Sequence, residues 1–210
     1  MPNFNGVDFI LERAEATREV QAEIIADWSW PDKTLAQWDV SIASVKQARI
    51  AEVATHAAEQ ETRGQRNTAY TSLERRMIQI VALLKISARR HAQHLPLITN
   101  LPEDKNGRPA LQARARAVAE AWKQIDPGLT SGPGQTLAVF EAALADAQQR
   151  DTATMAAKVA WRSAAESLAD KAAELDTDSK DWYALATRQF APGTSHGDLI
   201  RSRIPTITAP

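Results

Sequence analysis

Glycine and proline, the residues that end helices and make tight turns, are missing from long stretches of this chain. That absence limits its fold more than any other feature. Between Pro31 and Pro96 only Gly64 interrupts, and from Gln135 to Ala191 nothing does. Strands and hairpins need frequent turn residues, so such runs predict few, long helices and exclude an all-β fold. The apolar fraction of 44% leans on alanine and the aromatic fraction is 6%, a composition that favours close helix packing. A chain of 210 residues fits one domain, residues 1–210, built of two intimately packed halves.

The spacing of apolar residues places the helices. A first helix is predicted from Val7 to Trp28, with Ile10, Ala14, Thr17, Gln21 and Ile24 on one face. The turn "WSWPDK" then restarts the chain, since the residue before Pro31 is pushed out of helix and Pro31 suits a first helical turn. A second helix is expected from about Asp32 to His91. Its seam is Leu35, Trp38, Ile42 and Val45, then Ile50, Val53 and Ala57 one position out of step, then Tyr70, Leu73, Met77, Ile80, Leu84 and Ser87. Gly64 costs a helix only ~1 kcal/mol, so the reading favours continuation, over on the order of 90 Å. Residues 94–108 hold two Leu-Pro steps and an Asn-Gly step and are expected to be a linker without regular helix. Leu111, Ala115, Val118, Ala121 and Trp122 then define a third helix from Pro109 to Ile125. A fourth, from near Pro133, uses Leu137, Phe140, Leu144, Ala147, Met155, Val159, Trp161 and Leu168. Ser179 or Asp178 is expected to cap a separate final segment through Phe190, with Trp182, Leu185 and Ala186 buried. The tail, residues 191–210, is predicted to be extended.

The phrase "TLAQWDVSIASVKQ" at Thr34 returns as "TLAVFEAALADAQQ" at Thr136, an offset of 102 that holds without a gap and matches eight of 25 positions from Thr34 to Ala58. Short helix, proline-containing turn and long helix recur in the same order, which points to duplicated halves, residues 1–93 and 109–190. Two such hairpins bury their stripes most simply as an all-α, antiparallel four-helix-bundle-like body with overhanging long arms and an extended C-terminal tail.

No motif carries specific chemistry. The chain has no cysteine, which removes disulfides, thiolate metal sites and a cysteine nucleophile. His91 and His94 are three apart but are two ligands without a third, and His56 and His196 are isolated; no metal is expected. Ser195, His196 and Asp198 gather triad residue types, yet neighbours this close cannot adopt triad geometry. The loop "SGPGQT" is explained by a turn and a cap, and no glycine-rich phosphate cradle exists. Six tryptophans, Trp28, Trp30, Trp38, Trp122, Trp161 and Trp182, fall mostly on apolar helix faces, where packing accounts for them. No catalytic residue, cofactor or small-molecule substrate is therefore expected. No segment reaches the ~18 apolar residues of a membrane span, and the first residues lack the pattern of a cleaved signal; cytoplasm is the default compartment.

Charge is the remaining signal. Net charge is -1, yet from Arg63 to Lys123 twelve Lys and Arg stand against four Asp and Glu, +8, which leaves -9 elsewhere. Such halves suit mutual contact, within one body or between copies. The leading expectation is a non-enzymatic structural or interaction protein that self-associates as a homo-oligomer or scaffold. It would do so through its long-helix overhangs and its tail residues Leu199, Ile200, Ile204 and Ile207. The alternative is a helical adaptor that binds an anionic partner through residues 63–123, with Arg75, Arg76, Arg89, Arg90, Arg114 and Arg116 as contacts. The near-zero net charge and the lack of a reading motif argue against nucleic acid as that partner.

Overall fold

The structure, a computed structural model, describes residues 4–24, 33–103, 107–130, 132 and 134–205. The turn around Trp28, Trp30 and Pro31, and the tail residue Ile207, lie outside these. Among the described residues the chain is helical and contains no strand: α1 is Phe4–Ile24, α2 Leu35–Ala88, α3 Leu95–Thr99, α4 Arg108–Ile125, α5 Leu137–Gln189 and α6 Ser195–Arg203. The chain divides into two compact units, Met1–His56 with Val159–Pro210, and Ala57–Lys158. Both long helices contribute residues to each.

The long helices start at threonines rather than at the upstream Asp32 and Pro133. Thr34 and Gln37 form a reciprocal cap: the Thr34 hydroxyl accepts from the Gln37 amide at 3.3 Å, and the Gln37 side chain accepts from the Thr34 amide at 2.6 Å. Thr136 accepts from the Val139 amide at 3.4 Å. α2 then runs unbroken through Gly64, where a Cβ would meet nothing within 4 Å. Gly64→Ala is therefore expected to stabilise the protein by about 0.5–1 kcal/mol, because the backbone freedom of glycine is lost with no contact to disturb. Thermal melts followed by circular dichroism check it, and a lowered melting temperature contradicts it. α5 is likewise continuous, which corrects the expected break near Ser179. That side chain is fully buried, and its hydroxyl donates back to the Leu175 carbonyl at 2.8 Å instead of capping a new helix.

In the first unit, Val7, Leu11, Ala14, Val20 and Ile24 of α1 meet Trp38, Ile42, Val45 and Ala48 of α2 and Leu168, Ala172, Leu175, Trp182 and Ala186 of α5. Several polar groups inside it are paired, while the buried Thr17 hydroxyl has no hydrogen-bond partner among the described residues. The Gln21 amide donates to the Lys33 carbonyl at 3.0 Å and accepts from the Trp38 indole at 2.7 Å. The Lys33 ammonium sits 4.4 Å from the centre of the Trp38 ring and pairs with Asp178. On the surface Arg18–Asp39, Lys46–Glu15 and Arg49–Asp8 link α1 to α2, a run in which one number rises as the other falls, as antiparallel helices require.

Over its described residues, 191–205, the tail is not extended. Pro192 and Gly193 turn the chain, the Thr194 hydroxyl caps α6 by accepting from the Gly197 amide at 3.0 Å, and Asp198 accepts from the Gly193 amide at 2.9 Å. Gly197 is required there, since a Cβ would lie 2.1 Å from the Ala191 carbonyl oxygen. The Arg201 guanidinium donates to the Thr187, Phe190 and Gly197 carbonyls, satisfying the open C-terminus of α5. α6 thus docks through Ile200 and Ile204, which are 0% and 3% exposed.

In the second unit, Tyr70, Leu73, Met77, Ile80, Val81, Leu84 and Ala88 of α2 pack with Leu111, Ala115, Val118, Ala119, Ala121 and Trp122 of α4 and Phe140, Leu144 and Ala147 of α5. The Trp122 and Phe140 rings lie 6.1 Å apart. The linker proves partly helical: Ala92–His94 forms a 3-10 turn and Leu95–Thr99 forms α3. Pro96 falls in the first turn of α3, where its missing N–H breaks no bond, so the Leu-Pro step starts a helix instead of forbidding one.

The apolar seam expected at Ile50, Val53, Met155 and Val159 is overturned. These side chains are 55–66% exposed, whereas Glu52, Glu59 and Thr154 are buried. Keeping the 3–4 spacing of Val45 and Ala48 leads to Glu52, and then seven residues on to Glu59, so the seam stays in register and becomes polar. Each residue has a partner: Glu52 accepts from the Trp161 indole at 2.8 Å through one carboxylate oxygen, its other oxygen having none among the described residues, Glu59 pairs with Arg63, and the Thr154 hydroxyl donates to the Thr62 carbonyl at 3.1 Å.

Candidate acidic-partner interface

α2 buries one side of its second half through Leu73, Met77, Ile80, Leu84 and Ala88. The opposite side carries Arg75, Ile78, Ala82, Lys85, Ile86 and Arg89, all exposed, at three- and four-residue spacings that align them on one helix face. Ile78 is 63% and Ile86 54% exposed. None of Arg75, Lys85 and Arg89 is in an ion pair with the described residues. Glu74 lies at the margin of this face and is exposed too.

At its C-terminal end the face opens into a groove of about 500 Å³. Val81 and Lys85 of α2, with Arg89 just past its end, form one wall. Leu95, Ile98 and Thr99 of α3, with Leu101 and Arg114 beyond, form the other. The groove exists because α3 is helical and seats Ile98 in the core, with Leu95 left 41% exposed at its edge. Lys85 also sits in the last turn of α2 and Arg89 just past it, where the carbonyl end of the helix dipole favours positive charge. The result is an apolar floor rimmed by three cations.

Of the six arginines expected to bind an anion, Arg89 and Arg114 line this groove and Arg75 stands farther along the same face. Arg114 also donates to the Pro102 carbonyl at 3.2 Å. Arg76 is turned away and donates to the Gln135 side chain at 3.4 Å, while Arg90 and Arg116 are exposed outside the groove. Lys85, Ile78 and Ile86 were missed. The signal was present, because Ile78 and Ile86 repeat at eight residues off the buried seam.

The tail residues proposed for assembly are placed differently: Ile200 and Ile204 are consumed by the core, Leu199 packs partly buried against it, and Ile207 is outside the described residues. The ends of α2 and α5 carry α1 and α6 in the first unit and α3 and α4 in the second, so they are not bare overhangs. The remaining singled-out groups are structural in their surroundings. The His91 and His94 rings meet edge-on at 5.9 Å, His56 stacks on Trp161 at 4.6 Å, and His196 meets Phe190 at 5.2 Å. Trp38, Trp122 and Trp182 are fully buried. Among the described residues no three His, Asp or Glu side chains are grouped to hold a metal ion, and no helix is long and apolar enough to cross a membrane. Two surface cations are held charged to higher pH than usual: Arg18 by its hydrogen bonds to Asp39, and Lys123 by hydrogen bonds to Glu141 and Glu120.

No protein-family model matches this chain, and no curated protein or solved structure is similar enough to match it.

Proposed function

We propose that this protein is a non-enzymatic interaction protein whose second unit presents a basic, apolar-centred face to an acidic helical partner. The observation that carries the reading is the exposed stripe Arg75, Ile78, Ala82, Lys85, Ile86 and Arg89 on one side of α2. A phosphate backbone would pair with the cations but leave both isoleucines uncovered, whereas an amphipathic helix offers carboxylates and an apolar strip together. Unit charge supports it: the second unit holds 14 Lys and Arg against 10 Asp and Glu, +4, and the first 11 against 16, -5.

The test is fluorescence anisotropy with a labelled acidic, helix-forming peptide. Binding is expected to fall about tenfold or more in the double variant Lys85→Glu with Arg89→Glu, and to weaken as salt screens the contact. Equal affinity for the variant overturns the reading. Tighter binding of a DNA duplex than of the peptide does so as well.

The α1–α2 and α4–α5 hairpins are also read as copies of one ancestral hairpin. At the offset of 102, Trp38, Ile42 and Val45 correspond to Phe140, Leu144 and Ala147, and all six are buried. Both long helices open on a threonine cap at equivalent positions.

A further inference from the structure

We propose that the acidic partner of the basic face is a second copy of this chain, docked through the C-terminal half of its α5; this rests on the reading of that face as a protein-docking surface. Glu166, Asp170, Glu174 and Asp181 recur at four- and seven-residue spacings in the first unit, all exposed, and none is in an ion pair with the described residues. Between them lie the exposed small residues Ala169, Ala173 and Thr177. Lys180, at the margin, is held by Asp176 at 2.5 Å.

The two stripes match in length, and their four-residue steps Lys85–Arg89 and Glu166–Asp170 match in spacing. Arg75 to Arg89 covers about 21 Å of helix and Glu166 to Asp181 about 22 Å at ~1.5 Å per residue. Laid antiparallel, Arg89 faces Glu166 and Lys85 faces Asp170, while Arg75 falls opposite Lys180, which Asp176 holds, and Asp181 opposite Glu74, so the charge match lies at the Arg89 end. In the same register Ile86, Ala82 and Ile78 fall opposite Ala169, Ala173 and Thr177, so each large apolar side chain meets a small one. Such a pairing lets the helices approach closely enough for the flanking charges to bond. Because the two stripes differ, the contact is heterologous: every pair of copies keeps one free stripe of each sign, and association extends unless the geometry closes a ring.

A contact one helix wide and about 21 Å long is well below the roughly 800 Å² per partner of a standard interface. Association is accordingly weak and sensitive to salt.

Sedimentation velocity on the full chain, at high concentration and low salt, tests the proposal with two variants. One carries Lys85→Glu and Arg89→Glu, the other Glu166→Lys and Asp170→Lys. All four positions are exposed, and circular dichroism melts matching the parent establish that both variants fold. The parent is expected to associate, and to do so about tenfold more weakly when salt is raised severalfold. Each variant alone is expected to be monomeric, since positions 85, 89, 166 and 170, which face one another in this register, then all carry the same sign. An equimolar mixture is expected to recover a complex, because each variant keeps the stripe that the other lacks. A monomeric parent that still binds the acidic peptide overturns the second-copy proposal and leaves the interface reading standing; a parent that does neither overturns both. Variants that associate like the parent, or a mixture that does not, overturn the proposal as well.

Discussion

Replacing Trp38 by alanine is expected to destabilise the first unit by about 3–5 kcal/mol, the range for deleting a large buried aromatic. The side chain is 0% exposed, and three things are lost with it. Its ring fills the space among α1, α2 and α5. Its indole N–H satisfies the Gln21 Oε1 at 2.7 Å, and that amide is itself buried, so its oxygen would be stranded. Its face also supports the Lys33 ammonium at 4.4 Å. Domain stabilities are only ~5–15 kcal/mol, so a loss of this size is expected to unfold a visible fraction of molecules near physiological temperature. Urea denaturation followed by far-ultraviolet circular dichroism measures it. Trp38→Phe separates the contributions: it keeps most of the ring and leaves only the Gln21 oxygen unpaired, at about 1–3 kcal/mol. Equal losses for the two variants would show that the ring fills nothing.

Removing the carboxylate of Asp176 is the second large effect. Arg13 on α1 is 5% exposed at its side chain and donates to Asp176 on α5 at 3.0 Å and to the Pro205 carbonyl, just past α6, at 3.0 Å; its guanidinium lies 4.9 Å from the centre of the Phe9 ring. One buried cation therefore ties three segments. Asp176→Ala leaves that cation in the core without its counter-charge, and breaking a buried pair from one side costs about 3–5 kcal/mol. The residual 18% exposure of the Asp176 side chain places the result toward the lower end. Arg13→Met with Asp176→Ala removes both charges and is expected to regain most of the loss, since well-packed apolar replacements of such pairs are often neutral. The double-mutant cycle by urea denaturation reads the coupling directly. A double variant no more stable than Asp176→Ala alone would show that the burial of Arg13 is not what makes the single change costly. Limited proteolysis gives an independent readout, because losing the Arg13 tie is expected to expose the chain after α6 to cutting.

Burial and spacing made much of the fold legible before any coordinates. The stripe Tyr70, Leu73, Met77, Ile80 and Leu84, and the stripe Leu111, Ala115, Val118, Ala121 and Trp122, are buried as their periodicity requires. Periodicity failed where polar residues took core positions. Ile50 and Val53 look like a continuing seam, but Glu52 and Glu59 occupy it, where Trp161 on α5 donates to one Glu52 oxygen and Arg63 in the next turn pairs with Glu59. No pattern within one helix announces a partner on another. The candidate interface divides in the same way. Excess positive charge between Arg63 and Lys123 was visible, while the choice of Arg75, Lys85 and Arg89 over Arg76 and Arg90 depended on which side of α2 the core claimed.

By itself, then, the sequence determined the helices and most of their buried faces, since glycine and proline placement and 3–4 spacing act within a few residues of one another. Only the tertiary structure decided that the tail folds back as α6, that Pro96 begins a helix, and that Arg13 and Glu52 are core residues. Each of those outcomes rests on a hydrogen bond, ion pair or packing contact that spans many residues of sequence, and the energy of such a contact exists only once the segments have met.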